Sequence, residues 1–226
     1  MKLIPLFFCS ALLSVVLAGS ALGQTADDFA LLKKMGEATK DAPTSRLNST
    51  ITDRDSGAVL ETVTMERVAP DQVHLITTHH GEPATEMISD GKRSLTRKSP
   101  NEPWKPLPFN FGQTFHSALN FDQEEIREQH VHLKPLGDDQ VDGTAAKIYE
   151  MTSDDGTSKI WIAADNSRLL KLEHDYEGTA PIKTPKFDGN LKSLQAQLKA
   201  ATAQHHLHSL TLYTYDPSIK ITMPPQ

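Results

Sequence analysis

The stretch "VTMERVAPDQVHLITTHHGEPATEMISDGKRSLTR", residues 63–97, decides the fold. Val63 and Met65, then Val73 and Leu75, alternate with polar neighbours, the period of a strand with one face buried. Pro70-Asp71 and Gly81-Glu82-Pro83 interrupt the runs, and Asp90-Gly91 reads as a two-residue hairpin loop. Just upstream, Val59 to Val68 follows an Asp55-Ser56-Gly57 turn. Before that turn Leu47, Ser49 and Ile51 alternate with Arg46, Asn48 and Thr50. Short polar turns leave no room for crossover helices, so these five strands form an antiparallel meander.

The same grammar returns after residue 129. Strands are expected at 130–136, 144–152, 157–163 and 168–175, with Asp142-Gly143, Asp155-Gly156 and Asp165-Asn166 as turns. Two more, Leu207 to Tyr215 and Ser218 to Thr222, bring the number to eleven. Between the two runs, Pro103 to Pro108 leads into "FNFGQTFHSALNF" and a charged segment that suggests short helices. Helices are also expected at both flanks. Thr25 to Lys40 places Phe29, Leu32 and Met35 on one face, with Asp27 and Asp28 at its start. Leu191, Leu194 and Leu198 share a face of a second helix after a Pro/Gly loop. A half-polar meander of this length curls, meets water on one face and encloses a cavity with the other. The class is therefore mainly β: about eleven mostly antiparallel strands, enough to curl, with two amphipathic helices that can cover an open face.

Residues 1–23 read as a cleaved secretory signal. Lys2 precedes an apolar core, and Ala21-Leu22-Gly23 supplies small residues before a cut at Gln24. The core is shorter than the roughly 20 apolar residues of a membrane span. Leu17-Ala18-Gly19 is followed by Ser20, where a lipid anchor requires cysteine, and the single cysteine, Cys9, lies inside the signal. The expectation is release into a periplasm without an anchor, with residues 24–226 as one domain. Loss of Lys2 makes the mature chain one charge more negative than the full chain's −6. An acidic chain without a basic block argues against nucleic-acid binding.

The residues suited to chemistry carry little of it. His206 and His208 of "HHLH" would share a face on a strand. Without a thiol, however, the group reads as solvated histidines at a helix end, and no metal or other cofactor is expected. Ser89 and Lys92 have S-x-x-K spacing, but a hairpin directs the two side chains apart. Trp161 reads as strand packing. Trp104, near Phe109 and Phe111, is placed at the mouth of the cavity.

The order of the segments resembles the periplasmic lipoprotein carriers of the LolA type and related lipid-binding lipoproteins. "TSRLNSTITDRDSG" is similar to the family's opening strand, residues 63–104 to its run of strands and "DGK" hairpin ending near a tryptophan, and "KIWIAADNSRLLKLEHD" to its second run. "YTYDPSIKITMPP" resembles its ending. The resemblance implies an unclosed antiparallel β-barrel of about eleven strands covered by α-helices, with a hydrophobic cavity under that helical lid that receives lipid or lipoprotein acyl chains, and with no catalytic residue or metal. It implies transport towards the outer membrane, an inner-membrane release complex and an outer-membrane acceptor as partners, and a monomer. An arginine on an early strand of the carriers takes part in cargo release, for which Arg46 and Arg67 are the candidates. The lipid-binding residues expected are Leu47, Ile51, Val63, Met65, Val73, Leu75, Trp104, Phe109, Phe111, Leu191, Leu194 and Leu198. Alternation leaves open which strand face turns inward, and the Leu191 helix is either a lid or a docked core helix. Competing classes are a metal-dependent hydrolase using the histidine clusters and a β-rich assembly protein without a small ligand.

Overall fold

The computed structural model describes residues 26–113, 131–153, 156–179 and 203–225. Helix α1 (Ala26–Lys40) is followed by eleven strands: β1 (Thr44–Asp53), β2 (Val59–Val68), β3 (Gln72–His79), β4 (Thr85–Asp90), β5 (Ser94–Arg97), β6 (Lys105–Pro106), β7 (His132–Val141), β8 (Thr144–Ser153), β9 (Gly156–Ala163), β10 (Leu169–Thr179) and β11 (Gln204–Thr214). All join one sheet in the order β6-β5-β4-β3-β2-β1-β11-β10-β9-β8-β7. Every pairing is antiparallel. The edges β6 and β7 do not pair, so the barrel is unclosed.

Local chemistry explains the turns. Asp142 and Gly143 both have positive φ, as a tight hairpin matched to strand twist requires. In the β4–β5 hairpin the tip is Gly91-Lys92, one residue later than expected. The Asp90 carboxylate accepts the N–H groups of Lys92 and Arg93 at 2.9 and 2.8 Å, and Gly91 supplies the positive φ.

Other expectations are corrected. Ser218 to Thr222 is not a strand. Pro217 has no N–H to give a ladder, and Asp216 turns the chain by accepting from Ser218 at 2.8 Å and Ile219 at 3.2 Å. The eleventh strand is instead the two-residue β6. His205 and His206 lie in β11 rather than at a helix end. β7 runs on through polar Asp138-Asp139-Gln140, since an edge strand in water needs no apolar alternation. The expected Leu191 helix lies outside the described residues, as does 114–130.

Candidate functional site

Register assigns the two faces of the sheet. Tyr213, Leu47, Met65, Leu75, Met87 and Thr96 are successive partners across six strands and therefore point the same way. This is the inner face. Leu47 and Val73 are 2% and 1% exposed, and both pack with Met65, Leu75 and Phe111 in one cluster that Val63, Met87, Leu107 and Tyr213 complete. Fully burying one such side chain contributes roughly 1.5–3 kcal/mol. Gly112 allows the Phe111 segment to approach, because a Cβ there would lie 1.9 Å from the Asp71 carbonyl oxygen. Asn110 fastens the same segment through Ser89 and the Gly91 carbonyl.

α1 covers the other half of the inner face. Leu32 and Met35, with Phe29 and Leu31, pack on Ile160, Ile162, Leu169, Leu172, Tyr149 and Met151. Tyr213 belongs to both clusters, and burial holds its hydroxyl protonated far above the ordinary range. Arg67, only 2% exposed, secures the end of α1. Its Nη2 donates to the carbonyls of Thr39 at 3.2 Å and Ala42 at 2.7 Å, and its Nε donates to Ser45 Oγ at 3.3 Å. Burial lowers its pKa. Nη1 has no hydrogen-bond partner among the described residues.

Along the strands the inner face changes character. Beyond the Leu47 row stand Ser49, Val63, Thr77 and Thr211, then Ile51, Glu61 and His79, and finally Asp53. Glu61 pairs with His79 at 3.1 Å, and Asp53 with His205 at 2.8 Å. The N–H groups of Ser56 and Asp55 and the His205 ring hold the Asp53 carboxyl below its usual range against some burial. Ser158 and His174 face each other across β9 and β10 at 2.8 Å, and His174 stacks on Tyr176. The inner face thus carries a packed apolar band about the Leu47 row, with polar side chains set among Ile51 and Leu207 beyond it.

The outer face of β1–β5 is a polar ladder that sequence reading missed. Arg46 pairs with Glu66 at 2.6 Å, His74 lies between Glu66 and Glu86, and Arg97 pairs with Glu86 at 2.7 Å. Its members are far apart in sequence, and only register aligns them.

The expected lipid-contacting residues therefore divide. Leu47, Val63, Met65, Val73, Leu75 and Phe111 come together in one cluster, and Ile51 is buried further along the same face. Trp104 lies under the Arg97 guanidinium at 4.6 Å, on the side of the outer ladder, and Phe109 is 39% exposed, outside the cluster. Leu191, Leu194 and Leu198 lie outside the described residues. Met87, Leu107 and Tyr213 were not anticipated, although Met87 alternates with Ser89 as an inner residue must. Trp161 is buried on the opposite face, where its Nε1 donates to Asp139 at 2.9 Å. β11 separates the histidines: His205 faces inward, while His206 and His208 share the outer face with Glu177 and Asp175. Among the described residues no group of three or more His, Cys, Asp or Glu side chains is arranged to hold a metal ion. None of the described helices is long and apolar enough to cross a membrane.

No family model and no curated protein matches this sequence. Solved structures match by shape. The crystal structure of lipoprotein LppX from Mycobacterium tuberculosis is 12% identical, with a TM-score of 0.54, over 86% of this chain and 97% of that one. LprF from Mycobacterium bovis is 11% identical, with a TM-score of 0.53, over 91% of this chain and the whole of that one. Such identities speak for the fold alone. The open antiparallel barrel with helical cover implied by the resemblance to lipoprotein carriers is the architecture observed, and the chain has the fold of LppX and LprF.

Proposed function

We propose that this protein is a carrier, not an enzyme, that binds lipid or lipoprotein acyl chains against the inner face of its sheet. The observation that supports it best is the continuous apolar row Tyr213–Leu47–Met65–Leu75–Met87, which runs across five strands and gives way to polar groups further along them. Acyl chains gain roughly 0.8 kcal/mol per buried methylene, so such a surface takes up lipid without any reaction. The secretory signal and Ser20 support a mature chain from Gln24 that works unanchored in the periplasm, and the carrier resemblance supports a monomer. There it would receive cargo from an inner-membrane release complex and carry it to an outer-membrane acceptor. Mass spectrometry of organic extracts from the purified protein tests the reading, together with Met65→Asp. Wild type should carry co-purified lipid, and the variant, folded by circular dichroism, should carry several-fold less. Equal lipid in both would reject the assignment of this face.

A further inference from the structure

The sheet consists of two meanders, β1–β6 and β7–β11, and among the described strands only β1 and β11 join them. Eight register pairs, from Arg46 with Thr214 to Asp53 with Leu207, form this seam. All three histidines of β11 lie at or just beyond its Asp53 end, where they meet Asp53, Arg54 and Asp55. His205 Nδ1 is 2.8 Å from Asp53 Oδ2. His206 sits between two carboxylates, with Nδ1 3.5 Å from Asp55 and Nε2 3.0 Å from Glu177. Arg54 reaches over β11 to Asp175 at 2.6 Å, and its backbone N–H donates to the His206 carbonyl at 2.7 Å. His208 Nδ1 lies 2.8 Å from Asp175 and 3.1 Å from the Arg54 guanidinium. That nitrogen meets the Asp175 carboxylate only as a donor, so His208 is a third imidazole at this end that bonds a carboxylate. One strand further in, Glu61 and His79 pair with each other on the inner side.

We propose that this end of the seam is a proton-operated clasp. A protonated imidazole at His205, facing Asp53, or at His206, facing Asp55, bridges the two meanders at this end of the seam, whereas the His206 contact with Glu177 stays within β7–β11. With the imidazoles neutral, that end is looser. Histidine is the side chain whose charge changes between about pH 5 and 8, and an imidazolium facing a carboxylate makes a charge-assisted bond roughly twice as strong as a neutral one. Glu177, then Asp55, raise the pKa of His206, and of the two only Asp55 lies across the seam. Arg54 stays charged throughout, so this end loosens rather than separates. The consequence for cargo rests on the carrier reading: a fluorescent fatty-acid probe should leave faster at pH 7.5 than at pH 5.5. The clasp does not rest on it. A clasp seen by amide exchange in a protein that binds no probe would reject the reading and leave the clasp standing.

Amide hydrogen exchange of the whole protein at pH 5.5 and 7.5, corrected for intrinsic chemistry, tests the clasp. Protection of residues 51–56 and 204–208 should fall about threefold or more at pH 7.5, while 46–49 and 211–214 hold theirs. In His205→Gln/His206→Gln this local fall should shrink by at least half, the remainder belonging to His208 and His79. If the double variant does not fold, His206→Gln alone must reduce the fall, since that side chain is exposed. A fall of the same size in the variant, or none in wild type, overturns the proposal.

Discussion

At the level of single residues, His79 and Glu61 face each other across β2 and β3 at 3.1 Å. The Glu61 hydrogen bond raises the His79 pKa, with burial opposing it and the charges of Glu61 and Glu82 assisting. A raised histidine pKa contributes stability that is fully present below the unfolded value, about 6.5, and is lost as pH rises through the folded value above it. Thermal melts should therefore show wild type losing more stability between pH 6 and 8 than His79→Gln, and parallel losses would exclude the pair as the source. Carboxyls held low, such as Asp90 by the Arg93 N–H and Asp139 by Trp161, act in the opposite sense. Their contribution is lost as pH falls through their depressed values. Much of the inner-face cluster was legible at this scale. Period-two alternation put Leu47 with Ile51, Val63 with Met65 and Val73 with Leu75. Which face turned inward was not legible, and Arg67 shows why. It alternates with Met65 on the buried side, where a charge is tolerated only because it caps α1, and a cap on a distant helix leaves no trace in strand periodicity.

Among the elements, α1 depends most on its partners. A 15-residue helix is marginal alone in water, and the burial of its Leu32 and Met35 comes from the surface that β8–β10 present. Met35→Ala should lower the unfolding free energy by about 2–4 kcal/mol in urea titrations, the range for a truncated core side chain. A loss below about 0.5 kcal/mol would mean that the helix is not part of the cooperative unit. β2 matched its expected bounds because ten alternating residues sit between two turn signals. β6 was invisible, since two residues including Pro106 carry no period, and it exists only because β5 offers a free edge. The histidines of β11 look like a solvated terminus in sequence. They become strand residues because Asp53, Asp55, Glu177 and Asp175, all distant in sequence, supply their partners. β7 shows edge chemistry again: Pro135 and Gly137 bracket a register shift, which discourages further pairing at the open edge.

On the scale of the whole molecule, an eleven-stranded sheet that does not close must cover its inner face by other means. The described residues do this with α1 on one half and the Phe111 segment on the other. The number of strands and the short turns made a curled antiparallel sheet readable from sequence, and the carrier resemblance supplied the open barrel. The placing of an apolar band on its inner face, with polar side chains beyond, was not readable, because it arises from register across strands. The central claim is that acyl chains bind against this band. A fatty acid carrying a terminal diazirine, bound to the purified protein and photolysed, tests it most directly. The account predicts crosslinks on peptides bearing Leu47, Met65, Leu75 and Phe111, displaced by excess unlabelled fatty acid. Crosslinks centred on the outer-face residues Thr64 and Ile76, or labelling that excess fatty acid does not displace, would contradict it.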